Sequence, residues 1–203
     1  MFVDELAFDL FVLAFGAFLL AYLLSDVYLS YRKKHLEVKS RLLGLSVPIG
    51  IIGVYLLIVG IVSQLSWFLP GPYNMLFYDP MVAFGLILVA FSLGIRYNLK
   101  LDYIGFLALM AGIMTIWYGI SGYKLGLTKT PLEFLGLFVL YGVAGILTWP
   151  VLMMFNRVHR GIKTIPLSWQ VIIATLWVVL ILSGIAAAII GGFALPGHLA
   201  NPP

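Results

Sequence analysis

Long runs of apolar residues alternate with short polar segments along the whole chain. A run of about 20 apolar residues crosses the ~30 Å hydrocarbon core of a bilayer as a helix, because each helical residue rises 1.5 Å. The runs are continuous, whereas membrane strands would alternate apolar and polar positions. The pattern predicts an all-α polytopic bundle that forms a single transmembrane domain, 1–203. Its six predicted spans are residues 6–30, 43–68, 81–95, 103–121, 132–155 and 168–193.

The composition indicates that lipid surrounds most of the outer surface of the predicted bundle. Hydrophobic residues make up 63% of the chain and charged residues 10%, whereas soluble domains carry roughly 25% charged residues. The net charge of +4 comes from short basic clusters between apolar runs, so nucleic acid is not predicted as a partner. The chain has no cysteine, which excludes disulfides, thiolate metal sites and cysteine nucleophiles.

The basic residues are distributed unequally between the two sides of the predicted bundle. Ten of the twelve lysines and arginines fall in the first, third and fifth connections, and only Lys124 and Lys129 fall on the other side. Because basic loops stay in the cytoplasm, the pattern predicts cytoplasmic basic loops, external termini and a cell-membrane location. The ten residues are Arg32, Lys33, Lys34, Lys39, Arg41, Arg96, Lys100, Arg157, Arg160 and Lys163.

The segment between the second and third runs is unusually rich in turn residues. Pro70-Gly71-Pro72 favours an abrupt helix end, and Asp79-Pro80 is typical of a helix start. A third span over 81–95 would be only about 22 Å long, shorter than the ~30 Å core. We therefore predict a loop over 70–80 that dips into the outer face of the membrane.

This loop allows three interpretations. It either caps the bundle, or forms a ligand or substrate mouth, or docks a partner subunit. The residues that carry these roles are Tyr73, Asn74, Tyr78 and Asp79. Irregular backbone at membrane depth must be buried in protein or line a cavity, so we expect the polar groups to bind one another or neighbouring helix ends.

The pattern Pro-Gly-x-Tyr-Asn-x-Leu-Phe-x-Asp-Pro over residues 70–80 resembles a family of uncharacterised multi-pass membrane proteins of archaea and bacteria. The distinctive match covers the loop and its apolar flanks. The resemblance implies a prokaryotic membrane protein with this loop as its hallmark, and it implies no activity.

Polar residues within membrane spans are candidates for function by default, because they are costly to place there. Asp9, Asp26 and Gln64 form a possible intramembrane polar path. Asp26 has a simpler interpretation as the partner of Arg32 or of a neighbouring arginine or lysine of the first basic loop.

Small residues recur every four positions in the sixth run, at Gly184, Ala188 and Gly192. This spacing lets two helix backbones approach closely. The face packs either within one bundle or against another subunit.

The chain offers no catalytic signature, and no metal or cofactor is predicted. His35, His159 and His198 lie outside the apolar spans, where they are poorly placed to bind a membrane haem. The sequence favours a non-catalytic subunit or scaffold of a membrane complex. The alternative is a small transporter or channel, and an enzyme acting on lipid or quinone is a third, weaker possibility. The expected partners are the lipid bilayer and either other membrane subunits or further copies of the chain.

Overall fold

The computed structural model describes residues 5–32, 38–159 and 165–200, and its regular elements are all α-helices. The six helices are α1 (Glu5–Arg32), α2 (Val38–Ser66), α3 (Tyr73–Arg96), α4 (Asp102–Lys124), α5 (Pro131–His159) and α6 (Leu167–Ala200). All six are long and apolar enough to cross a membrane. The prediction of an all-α bundle with six spans is therefore confirmed.

The third helix differs from its prediction. It begins at Tyr73 and comprises 24 residues, about 36 Å of helix, which is enough to cross the hydrocarbon core without thinning it. Pro80 lies inside this helix, and the residue at its N-cap is Pro72, not Asp79. The predicted dipping loop over 70–80 is wrong, because only the short segment between Ser66 and Tyr73 is a turn.

Neighbouring helices run antiparallel and close into a ring. Each helix contacts the helices before and after it, and α6 also contacts α1. Along α1 and α2, Asp9 lies against Tyr55 while Asp26 lies against Arg41, so these two helices run in opposite directions. Two contacts far apart along each helix show the same antiparallel arrangement at four further interfaces. They are Gly53 with Val89 and Gln64 with Asp79 for α2 and α3, Gly94 with Ile104 and Tyr118 with Asp79 for α3 and α4, Gly105 with Trp149 and Gly119 with Phe138 for α4 and α5, and Gly191 with Ala7 and Gly184 with Phe18 for α6 and α1.

The two ends of the ring have different characters. We call the end that contains the start of α1, the α2–α3 and α4–α5 turns and the end of α6 the turn end. The opposite end, where the odd-numbered helices finish, is the basic end. It carries Arg41, Arg96, Lys100 and Arg157, whereas Lys124 is at the turn end.

Glycines bring three of the helix pairs into backbone contact. A methyl group built on Gly85 would lie 2.7 Å from the backbone nitrogen of Leu57, across the α2–α3 interface. One built on Gly145 would lie 2.7 Å from the carbonyl oxygen of Ala108, across the α4–α5 interface. Real side-chain carbons do not come that close, so these positions require glycine.

The small residues of α6 pack against α1, within the same bundle. A methyl group built on Gly184 would lie 2.7 Å from the ring of Phe18, and one built on Gly191 would lie 3.0 Å from the carbonyl oxygen of Ala7. Ala187 is fully buried. Ala188 is half-buried, and a methyl group on Gly192 would meet only Phe11, at 3.9 Å. The closest approach therefore follows Gly184, Ala187 and Gly191, beside the predicted row of Gly184, Ala188 and Gly192.

Candidate functional site

The turn between α2 and α3 is organised by the side chain of Asn74. Its Oδ1 accepts a hydrogen bond from the backbone N–H of Leu69 at 3.2 Å, and its Nδ2 donates to the carbonyl oxygen of Ser63 at 3.0 Å. Asn74 is fully buried. Gly71 has a φ of +56°, which glycine adopts without strain. The Asn74 amide thus binds one backbone N–H of the turn and one carbonyl at the end of α2.

Asp79 lies one and a half turns further along α3 and joins three helices. Its Oδ1 accepts a hydrogen bond from Gln64 Nε2 of α2 at 2.6 Å, and its Oδ2 accepts one from the Tyr118 hydroxyl of α4 at 2.6 Å. Both carboxylate oxygens therefore have donors from neighbouring helices. Hydrogen bonds to an ionised acceptor are stronger than those between neutral groups. The Asp79 carboxylate therefore stabilises the contacts of α3 with α2 and α4 at the turn end.

The four residues predicted for this segment have different environments. Asn74 and Tyr78 are fully buried, and Asp79 is half-buried between its two donors. Tyr73 stacks on Phe77, with ring centroids 6.2 Å apart. The side chains of Asn74 and Asp79 hydrogen-bond neighbouring segments, and those of Tyr73 and Tyr78 pack within the bundle.

Asp9 is fully buried on α1. Its Oδ1 accepts a hydrogen bond of 2.8 Å from the Tyr55 hydroxyl of α2, and the Tyr55 ring packs edge-on against Phe8. This contact joins α1 and α2 in the half of the bundle nearer the turn end.

Asp26 forms an ion pair with Arg41, and both side chains are about one third exposed. Arg41 belongs to the predicted first basic loop, but α2 begins at Val38, so this arginine lies within the first turn of that helix. The contact agrees with the simpler interpretation of Asp26. It joins α1 and α2 at the basic end, opposite the Asp9 contact.

A third polar contact links α4 and α5 at the basic end. Asn156 Nδ2 donates to the Asp102 carboxylate, and Asn156 Oδ1 accepts from the backbone N–H of Leu101 at 3.3 Å. Nearby, the Arg157 guanidinium lies over the ring of Trp169 at 5.6 Å from its centroid. Sequence analysis missed the Asn156 contact, because its partners are more than fifty positions away in the chain.

The three residues of the predicted polar path bind different partners. Asp9 binds Tyr55 and Asp26 binds Arg41, toward opposite ends of the α1–α2 interface. Gln64 binds Asp79 across the α2–α3 interface, toward the turn end. His35 lies outside the described residues, and so do the side chains of His159 and His198. Within the described ranges no three metal-binding side chains cluster.

A cavity of about 130 Å³ lies inside the ring. Side chains of α1, α3, α4, α5 and α6 line it, whereas α2 contributes none. On α1 the lining extends from Leu6 to Leu24, a distance of about 27 Å along the helix. The cavity is therefore long and narrow, and it follows the bundle axis.

The lining is almost entirely aliphatic and aromatic, with Phe84, Phe91 and Phe155 among its largest side chains. Three polar side chains also line it. The hydroxyls of Thr115 and Thr148 each donate to a carbonyl of their own helix at 2.8 Å, and the buried hydroxyl of Tyr141 has no hydrogen-bond partner among the described residues. None of the acidic residues described above lines this cavity.

Sequence analysis did not find the cavity. Its lining residues come from five helices and are ordinary leucines, phenylalanines and alanines. Such residues are expected throughout a membrane span, so no local pattern distinguishes those that face a central void.

The fold and these contacts define the protein as a multi-pass membrane protein built as a closed ring of six helices. The family described as "Protein of unknown function (DUF981)" matches residues 1–201, and the chain belongs to this family. The match covers far more of the chain than the loop on which the sequence resemblance rested. No curated protein matches the chain, and no solved structure matches it.

Proposed function

We propose that this protein is a non-catalytic scaffold or subunit of a membrane complex. The observation that carries the proposal is which groups the polar side chains within the spans contact. Asp9, Asp26 and Asp79 each join neighbouring helices, and none lines the central cavity. Such contacts hold helices in fixed positions, as a scaffold requires.

The transporter alternative has less support. A path for a polar substrate or ion would bring Asp9, Asp26 and Gln64 to one water-accessible route. Instead each of the three contacts a different partner, and the central cavity is apolar. The arrangement supports a static bundle more than a polar pathway.

The proposal includes an orientation in a prokaryotic cell membrane, with the basic end in the cytoplasm and the turn end outside. The lysines and arginines concentrated at the basic end support it. The chain has no cysteine, so single cysteines can report the side of the membrane. In right-side-out cells, an impermeant maleimide should label Lys129→Cys and leave Lys100→Cys unlabelled. The reverse labelling would invert the orientation.

A subunit must cover part of its lipid-facing surface with a partner. Leu65 of α2, Trp117 of α4 and Phe193 of α6 are 82%, 72% and 82% exposed, and all three lie toward the turn end on different helices. A membrane-permeant maleimide should label Leu65→Cys, Trp117→Cys and Phe193→Cys equally in the purified, partner-free chain.

In native membranes at least one of the three positions should be protected, and proteins that co-purify in mild detergent should appear in a fixed ratio. The same variants in the purified chain are the matched control, because they share every local property except the partner. Equal labelling of all three positions in both preparations, with a single-chain particle in detergent, would contradict the scaffold or subunit proposal.

A further inference from the structure

We infer that the central cavity is a binding site for one hydrocarbon chain, either an acyl chain or an isoprenoid chain. This inference stands on the cavity alone and does not depend on the scaffold proposal. It assigns a ligand class to this internal space.

The chemistry of the lining disfavours charged or strongly polar ligands in the interior. Among the described lining residues, Tyr141 alone has a hydroxyl without a hydrogen-bond partner, and one such group is too few to hold a buried water. Among the described residues that line the cavity, none carries a charge. Thr115 and Thr148 already donate their hydroxyl hydrogens to Ala111 and Ala144 of their own helices. An apolar cavity of this kind stays dry and accepts apolar guests. A polar headgroup would therefore remain outside, at one end of the cavity or beyond it.

The shape of the cavity selects a chain over a bulkier apolar molecule. Its volume of about 130 Å³ is comparable to that of an engineered cavity of about 150 Å³ that binds benzene. Here, however, the lining extends over about 27 Å of α1, from Leu6 to Leu24. A space so long for its volume is narrow. It fits a single extended chain, whereas a fused-ring molecule or two chains side by side would be too wide.

The bilayer supplies such chains at high concentration. Moving a chain from lipid into a dry cavity requires no loss of hydrogen bonds to water, and it replaces a void by contacts with aromatic and aliphatic side chains. The hydrocarbon chain would contact side chains of several helices, among them Phe84 of α3 and Leu180 of α6.

A photoactivatable palmitic acid with a diazirine on its chain tests the inference directly. The probe is equilibrated with the full chain in detergent micelles, irradiated, and its attachment sites are mapped by peptide mass spectrometry. We expect attachment at cavity residues such as Phe84, Leu88 and Leu152, and saturation of that attachment by unlabelled fatty acid or by an isoprenoid alcohol. Attachment confined to lipid-facing residues such as Phe193 would overturn the inference.

The two competitors distinguish the sources of the chain. Stronger competition by unlabelled palmitic acid assigns an acyl chain, and stronger competition by phytol assigns an isoprenoid chain. Failure of both to reduce attachment at cavity residues would show that the attachment is unspecific and would overturn the inference.

Two matched threonine variants provide the second test. Thr115→Leu combined with Thr148→Leu fills the cavity, whereas Thr175→Leu makes the same change on an exposed face of α6. All three hydroxyls donate to the carbonyl four residues earlier, so each substitution removes the same kind of hydrogen bond, two in the double variant and one in the control. We expect the double variant to lose cavity attachment by about tenfold or more, because added atoms exclude the chain. Thr175→Leu should retain it.

Equal attachment in the double variant and in Thr175→Leu would overturn the inference. Should the double variant fail to fold, the attachment map of the unaltered chain decides alone.

Discussion

The helix interfaces of this ring are held together in two different ways. The α2–α3, α4–α5 and α6–α1 pairs approach through glycines, where one backbone touches the next. The α1–α2 and α3–α4 pairs are joined by side chains that reach across, as Asp26 does to Arg41 and Asp79 to Tyr118. Membrane helices associate through close packing and interhelical hydrogen bonds. This protein uses both at the α2–α3 interface, where Gln64 binds Asp79, and at the α4–α5 interface, where Asn156 binds Asp102.

The two kinds of contact set different distances between helices. Glycine contacts bring two helices so close that a methyl group at the crossing point would overlap the neighbouring helix. Helices joined by long side chains need not approach so closely. The central cavity is lined by α1, α3, α4, α5 and α6, so it adjoins both kinds of interface.

The largest effect should come from enlarging a glycine at a backbone contact. We expect Gly145→Leu to lower the free energy of unfolding by about 3 kcal/mol or more, because its side chain would overlap the α4 backbone at Ala108 and Gly112. The measurement is a denaturant titration in mixed micelles. Gly136→Leu is the control in the same helix, since no atom lies within 4 Å of a methyl group at that position. Equal losses in the two variants would show that glycine spacing does not govern the interface.

The second-largest change in the free energy of unfolding should come from the polar contact at Asp79. Tyr118→Phe removes one donor to the carboxylate and should cost about 1–2 kcal/mol, as a hydrogen bond to a charged group does. Tyr103→Phe is the control, because that side chain of the same helix is 76% exposed. In a double-mutant cycle with Asp79→Ala, the coupling energy should be about 1 kcal/mol. A coupling near zero would mean that the 2.6 Å contact adds nothing to the α3–α4 interface.

The spans were predictable from the sequence, whereas most of their contacts were not. Hydrophobic runs long enough for a bilayer specify six helices, and the structure has six. The start of α3 was placed too late because Asp79-Pro80 has the composition of a helix start. That signal is local, but the carboxylate binds Gln64 and Tyr118, which are 15 and 39 positions away. Distant partners of this kind override a capping preference worth about 1 kcal/mol.

The remaining site features can be recognised only once the six helices are assembled into the ring. The partner of Asp26 was predicted as a nearby basic residue because the first connection is short and basic, and Arg41 fits that reasoning. Asp9 gave no comparable signal, since Tyr55 lies 46 positions away in the middle of another apolar run. The cavity depends on which faces of five helices turn inward, and a helix that is apolar on all sides does not reveal its inward face.

Asp26 should show a smaller effect than Asp9 and Asp79. Its ion pair with Arg41 is about one third exposed on both sides, and exposed ion pairs contribute about 0–1 kcal/mol. Asp26→Asn should therefore change the unfolding free energy by less than about 1 kcal/mol. Asp9→Asn is the matched change at a fully buried carboxylate on the same helix, and it should cost about 1–3 kcal/mol. Added salt should reduce the effect of Asp26→Asn and leave that of Asp9→Asn unchanged, because only exposed charges are screened. If Asp26→Asn proved the more damaging, the basic end would depend on this pair far more than its exposure implies. The α1–α2 interface would then be held mainly by its exposed ion pair and not by the buried contact of Asp9 with Tyr55.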